Sequence, residues 1–84
     1  MANIFATSKV IPVLTIEASH DARALAAALA GGGLSVLEVT LRTEAALRAI
    51  EAMAKLDGVV VGAGTVLTSA QAQSAADAGA QFIV

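Results

Sequence analysis

The chain has 84 residues, 57% hydrophobic and 14% charged, with a formal net charge of −2, which bounds it to one small domain. Alanine rather than long apolar side chains raises the mean hydropathy to +0.79, and no apolar run approaches the roughly 20 residues that span a bilayer. Without cysteine there is no disulfide framework and no thiolate chemistry; without Trp, Tyr or a Lys/Arg run, nucleic-acid binding is disfavoured. The first nine residues lack a basic stretch followed by a long apolar core, so they do not read as a signal peptide, and a cytoplasmic location is expected.

In chain order, residues 10–15 form a short, almost wholly apolar strand, with Pro12 tolerable near its start. Ser19 is placed to cap a helix whose Ala22, Leu25, Ala26 and Leu29 share one stripe, and Gly31, Gly32 and Gly33 end it. The lone His20, with no Cys or second His nearby, reads as a surface or capping residue rather than a ligand. Residues 36–42 form the second strand. Thr43 is placed to cap the next helix, whose inner stripe is Ala46, Leu47, Ile50, Met53 and Ala54; Asp57 and Gly58 stop it. Residues 59–65 are the third strand with its exit loop. Thr68 to Gln71 fits a capping box, and Ala72, Ala75 and Ala76 face inward on the helix that follows. Gly79 closes that helix, and residues 81–84 begin a fourth strand.

The expected strand starts lie 26, 23 and 22 residues apart, an internal strand–helix repeat. Strands joined by helices pair in parallel through right-handed crossovers and are covered by those helices. The second strand departs from that plain pattern. Leu37, Val39 and Leu41 point to one side, and Glu38, Thr40 and Arg42 to the other. A solvated edge strand would allow this, but a helix-covered parallel sheet does not. The polar side is therefore expected to look into a barrel or a ligand crevice. The sequence stops within an apparent strand, which reads as a piece of something larger or as a unit completed by other copies; two copies would supply the eight strands of a closed barrel.

Arg42 falls at the C-terminal end of its strand, where parallel sheets and barrels bind ligands. Its guanidinium suits an anionic ligand, or else bridges to Glu44 or Glu38. Glu38 sits four residues back, about 13 Å deeper along the strand. A carboxyl held away from water there is suited to proton transfer, or else it partners a cation. The segment Gly62 to Leu67 invites a dinucleotide reading, but Leu67 stands where a third glycine is needed. The two glycines would instead let a ligand approach backbone amides, with the Thr65 hydroxyl on a carboxylate or phosphate oxygen, or they simply make a tight turn. Neither of the two lysines, Lys9 and Lys55, occupies a position suited to a buried Schiff base.

Taken together, V-I-P-V-L, L-E-V-T-L-R-T, V-G-A-G-T-V-L and A-G-A-Q-F-I-V resemble the 2-keto-3-deoxy-6-phosphogluconate (KDPG) aldolases with their 4-hydroxy-2-oxoglutarate (KHG) aldolase activity. The resemblance runs from about Val10 to Val84. A galactonate-directed relative shares a similar G-A-G-T-V-L but lacks the arginine, so Arg42 favours the gluconate type. The resemblance implies an α/β fold, a partial (β/α)8 TIM barrel made of the first three βα units plus the start of the fourth strand, with residues 1–84 as the N-terminal part of one barrel domain. It implies a class I aldolase, usually trimeric, that needs no cofactor and acts on a small anionic 2-keto acid, with no membrane and no nucleic-acid partner. By resemblance Glu38 is the general acid/base working through a water, and Arg42 and Thr65 hold the carboxylate of the pyruvyl moiety. The family's Schiff-base lysine and phosphate-binding loops lie in later strands, so these 84 residues alone are expected to be inactive. The alternative is an isolated half-barrel that serves as an assembly module.

Overall fold

A computed structural model describes residues 11–17 and 21–84. The expectations for Val10, Ser19 and His20 lie outside the described residues. In chain order the elements are β1 (Val13–Leu14), α1 (Ala22–Gly31), β2 (Val36–Thr40), α2 (Ala46–Ala54), β3 (Val60–Gly64) and α3 (Ser69–Ala78). The strands form one parallel sheet in the order β1-β2-β3. Glu38 lies opposite Val13 on one side and Gly62 on the other, which fixes the register of all three strands.

The register separates the two faces of the sheet. Ile16, Leu37, Val39, Val59, Val61 and Ala63 join Ala22 and Ala26 of α1, four residues of α2 and Ala75 of α3 in one buried cluster. All three helices therefore pack on this face. Small alanines at their contact positions let the helices approach the strands closely. The other face carries Val13, Glu38, Thr40, Gly62 and Gly64 and, among the described residues, has no helix over it.

Several local expectations need correction. β2 ends at Thr40, not Arg42. One further ladder bond follows, from Leu41 N to Gly64 O at 2.8 Å, and the chain then turns. Thr43 does not cap α2. Its hydroxyl donates to the Ile16 carbonyl, which ties the β2 exit to the β1 exit, and α2 begins without a side-chain cap. The α2 stripe is Ala46, Ala49, Ile50 and Met53, spaced at i, i+3, i+4 and i+7. Leu47 is 38% exposed on the flank, against a 190 Å³ groove shared with Gln71 and Ser74 of α3. On α3 only Ala75 is fully buried, and Ala76 faces out.

The N-terminal caps follow side-chain chemistry. Asp21 Oδ1 accepts from Ala24 N at 3.0 Å at the start of α1. At α3 the Thr68 hydroxyl accepts from Gln71 N, and Gln71 Oε1 accepts from Leu67 N at 2.7 Å, one residue before the partner expected of a capping box. Gly79 closes α3 at φ 111°, in the left-handed region. Residues 81–84 run beside β3, with Gln81 N on Val61 O, Ala63 N on Phe82 O and Val84 N on Ala63 O. Among the described residues they form a single parallel bridge, Ala63 to Ile83, rather than the expected fourth strand. No helix among the described residues is long and apolar enough to cross a membrane.

Candidate active site

The helix-free face gathers the polar groups of the sheet. Thr40 is 5% exposed, the one buried polar side chain among the described residues. Its hydroxyl donates to Leu14 O at 3.2 Å and lies 3.2 Å from the hydroxyl of Thr15. With the Thr40 hydrogen committed to a carbonyl, Thr15 donates to Thr40. This cross-strand pair satisfies a buried hydroxyl that would otherwise cost about 1–3 kcal/mol. It was not singled out from the sequence, because the pairing depends on a register with a strand 25 residues away.

Glu38 stands on the same face, half-buried at the middle of β2. Its side chain does not stay at its own register level. The backbone opposite, at Gly62, is covered by the Phe82 ring: a Cβ built there would overlap three carbons of that ring. The Glu38 side chain leans towards the strand ends and lies across Gly64, where a Cβ would overlap Oε2 and stand 2.7 Å from Cδ. Among the described residues the carboxylate forms no hydrogen bond or ion pair, so no cation neutralises it there.

Thr65 follows Gly64 at the C-terminal end of β3, with φ 58°. It is the one described non-glycine residue with positive φ, and a β-branched side chain is poorly suited to that region. The left-handed conformation costs an L-residue roughly 1–2 kcal/mol, and replacing Thr with Gly gives back about 0.5–1 kcal/mol through the freer unfolded chain. Thr65→Gly is therefore expected to leave stability unchanged or raise it by up to about 1.5 kcal/mol. Urea unfolding checks this; a loss of more than about 1 kcal/mol would show that the threonine is held by packing.

Arg42 is exposed in the turn after β2, one residue beyond the last ladder bond. Among the described residues it pairs with neither Glu38 nor Glu44; Glu51, on α2, pairs with Lys55 at 3.7 Å instead. Glu38, Thr65 and Arg42 thus gather towards one rim of the sheet, the end where β2 and β3 finish. No bond ties any two of them to each other among the described residues, which leaves their polar atoms available to a ligand.

Both glycines of the G-x-G lie inside β3, not in the loop after it. A dinucleotide cradle needs free backbone amides at the helix N-terminus; here the open faces of the glycines are occupied by Phe82 and Glu38. A cavity of about 490 Å³ opens elsewhere, between α1 and α2, beside Arg23, Glu44 and Arg48, on the opposite face of the sheet from Glu38.

The chain matches the family model for KDPG and KHG aldolases over residues 1–84. It is 50% identical over 82 residues to 2-dehydro-3-deoxy-phosphogluconate aldolase of Zymomonas mobilis, covering 98% of this chain and 39% of that protein. It is 47% identical to the KHG/KDPG aldolase of Escherichia coli K12, again over 98% of this chain and 39% of the relative. A crystal structure of the Legionella pneumophila KDPG aldolase, holding pyruvate as a covalent carbinolamine, superposes with a TM-score of 0.86 at 48% identity, over 94% of this chain and 39% of that one. The chain thus spans about two fifths of the length of the curated relatives it matches. With the family model matched from end to end and identities near one half, the chain belongs to the KDPG and KHG aldolase family.

Proposed function

We propose that these residues are the N-terminal part of a single (β/α)8 barrel in a class I aldolase. The enzyme cleaves 2-keto-3-deoxy-6-phosphogluconate to pyruvate and glyceraldehyde 3-phosphate, 4-hydroxy-2-oxoglutarate to pyruvate and glyoxylate, or both. The observation that carries this reading is the Glu38 carboxylate, laid over Gly64 on the helix-free face and directed towards the rim that Thr65 and Arg42 share. A parallel sheet with helices on one face and a carboxylate on the other is the layout of a barrel wall whose inner side faces the chemistry. A homotrimer and a cytoplasmic location belong to the same reading.

In this mechanism the keto acid is held as an iminium on a lysine outside these 84 residues. Lys55 does not serve: it is exposed at the end of α2 and paired with Glu51. The iminium withdraws electrons, so the bond between C3 and C4 of the substrate breaks as the C4 hydroxyl loses its proton. Glu38 takes that proton through a water and returns one to C3, so pyruvate leaves with a methyl group. Arg42 grips the pyruvyl carboxylate with its planar fork, and the Thr65 hydroxyl donates to the same group. The strain at Thr65 is then the cost of bringing that hydroxyl to the carboxylate.

The test is a chimera in which this chain replaces the matching segment of the Zymomonas mobilis relative. The chimera is expected to cleave KDPG and release pyruvate, while the 84-residue chain alone does not. Thr65→Gly in the chimera raises KM more than it lowers kcat. A folded chimera without turnover would reject the reading.

A further inference from the structure

We propose that Gly64 is a positioning residue for Glu38: its missing side chain is the bed on which the carboxylate lies, and Phe82, seated on Gly62, blocks the alternative. The inference rests on the reading of Glu38 as the proton-transfer group, but it concerns a different residue and a different variant.

Glu38 is level with Gly62, and Thr40 with Gly64. A glutamate pointing straight from the sheet would stand beside its own level. That space is taken, because the Phe82 ring lies against Gly62 closely enough to overlap any Cβ placed there. The side chain leans forward instead. Two residues on, the strand again offers no Cβ, and Cγ, Cδ and Oε2 of Glu38 all fall within 3.0 Å of where one would be. Two glycines at i and i+2 thus face the same side of β3 and take different occupants. One receives a ring, the other a carboxylate. Glycine weakens a strand interior, and its usual justification is a close approach by another group.

The two glycines differ in what a methyl group would disturb. At Gly62 the obstacle is an aromatic ring packed against the backbone. At Gly64 it is a flexible side chain, met from Cγ to Oε2, and φ at Gly64 is not positive, so alanine there adds no backbone strain. Gly64→Ala is therefore expected to fold and to lift the carboxylate off the strand. A displacement of about 1 Å at a reacting group costs on the order of a hundred-fold in rate.

The experiment is a set of double-mutant cycles in the chimera, with kcat and KM for KDPG as readouts and thermal unfolding as control. Gly64→Ala should lower kcat about ten- to a hundred-fold with little change in KM or Tm. Glu38→Asp is one methylene shorter, so its carboxylate clears much of the added methyl. Gly64→Ala should cost markedly less in that background, and nothing further in a Glu38→Gln background. An equal penalty in all three backgrounds would overturn the proposal, as would full kcat in Gly64→Ala. A Gly64→Ala variant that fails to fold would also overturn the proposal, because it would contradict the claim that only a flexible side chain is displaced. The parent reading fails separately, through full activity of Glu38→Gln alone.

Discussion

Glu38→Gln in the chimera lowers kcat/KM for KDPG cleavage by about 10²–10⁴-fold, the range expected when a positioned acid/base is removed. That corresponds to about 3–5.5 kcal/mol of transition-state stabilisation. The amide has nearly the volume of the acid and fits the same bed over Gly64, so the loss is one of proton transfer rather than of shape. Thermal unfolding should be almost unmoved, because the carboxylate has no hydrogen bond or ion pair to lose among the described residues. Steady-state kinetics beside a melting curve separates the two effects. A variant that loses activity and several degrees of Tm together would place Glu38 in a structural role.

Leu37→Ala, one residue away, has the opposite signature. Leu37 is 0% exposed, opposite Val61 and inside the cluster that α1, α2 and α3 share. Truncating it removes buried area and leaves a cavity in a sheet that cannot close around it, at about 2–5 kcal/mol. In a domain of barrel size each kcal/mol moves Tm by about 2–4 °C. The matched control is Leu67→Ala. Leu67 is 79% exposed, and its loss should stay within about 0.5 kcal/mol. Equal Tm shifts for the two leucines would mean that the helix-covered face is not the core.

These two neighbours also show what could be read from the amino-acid order. Alternation along residues 36–42 separates Leu37 and Val39 from Glu38 and Thr40, because side-chain direction in a strand has period two. The burial of the first pair and the helix-free setting of the second follow from that alternation taken with the strand–helix repeat. Element order was legible for the same reason: turn residues punctuate apolar runs at nearly even spacing. The roles of Thr43 and Thr15 were not legible. Local chemistry makes Thr43 a good cap, yet a carbonyl of the β1 exit claims its hydroxyl. Leu47 looks as apolar as Ile50, but it stands one residue, about 100° of helical rotation, past Ala46 of the buried stripe, which moves it to the flank. The glycines were recognised as places of close approach, but not what approaches. Phe82 is 20 residues beyond Gly62, and only the chain path after α3 brings the ring there.

Proton transfer by Glu38 is isolated by exchange of the pyruvate methyl protons in deuterated water, followed by proton NMR, for the chimera and its Glu38→Gln variant. Exchange needs only pyruvate, so contacts made by the rest of a larger substrate do not enter. Steady exchange is expected from the chimera, and a loss of about a hundred-fold or more in the variant. Equal exchange in the two proteins would contradict that role, because the proton would then be moved by a group other than the one that lies over Gly64.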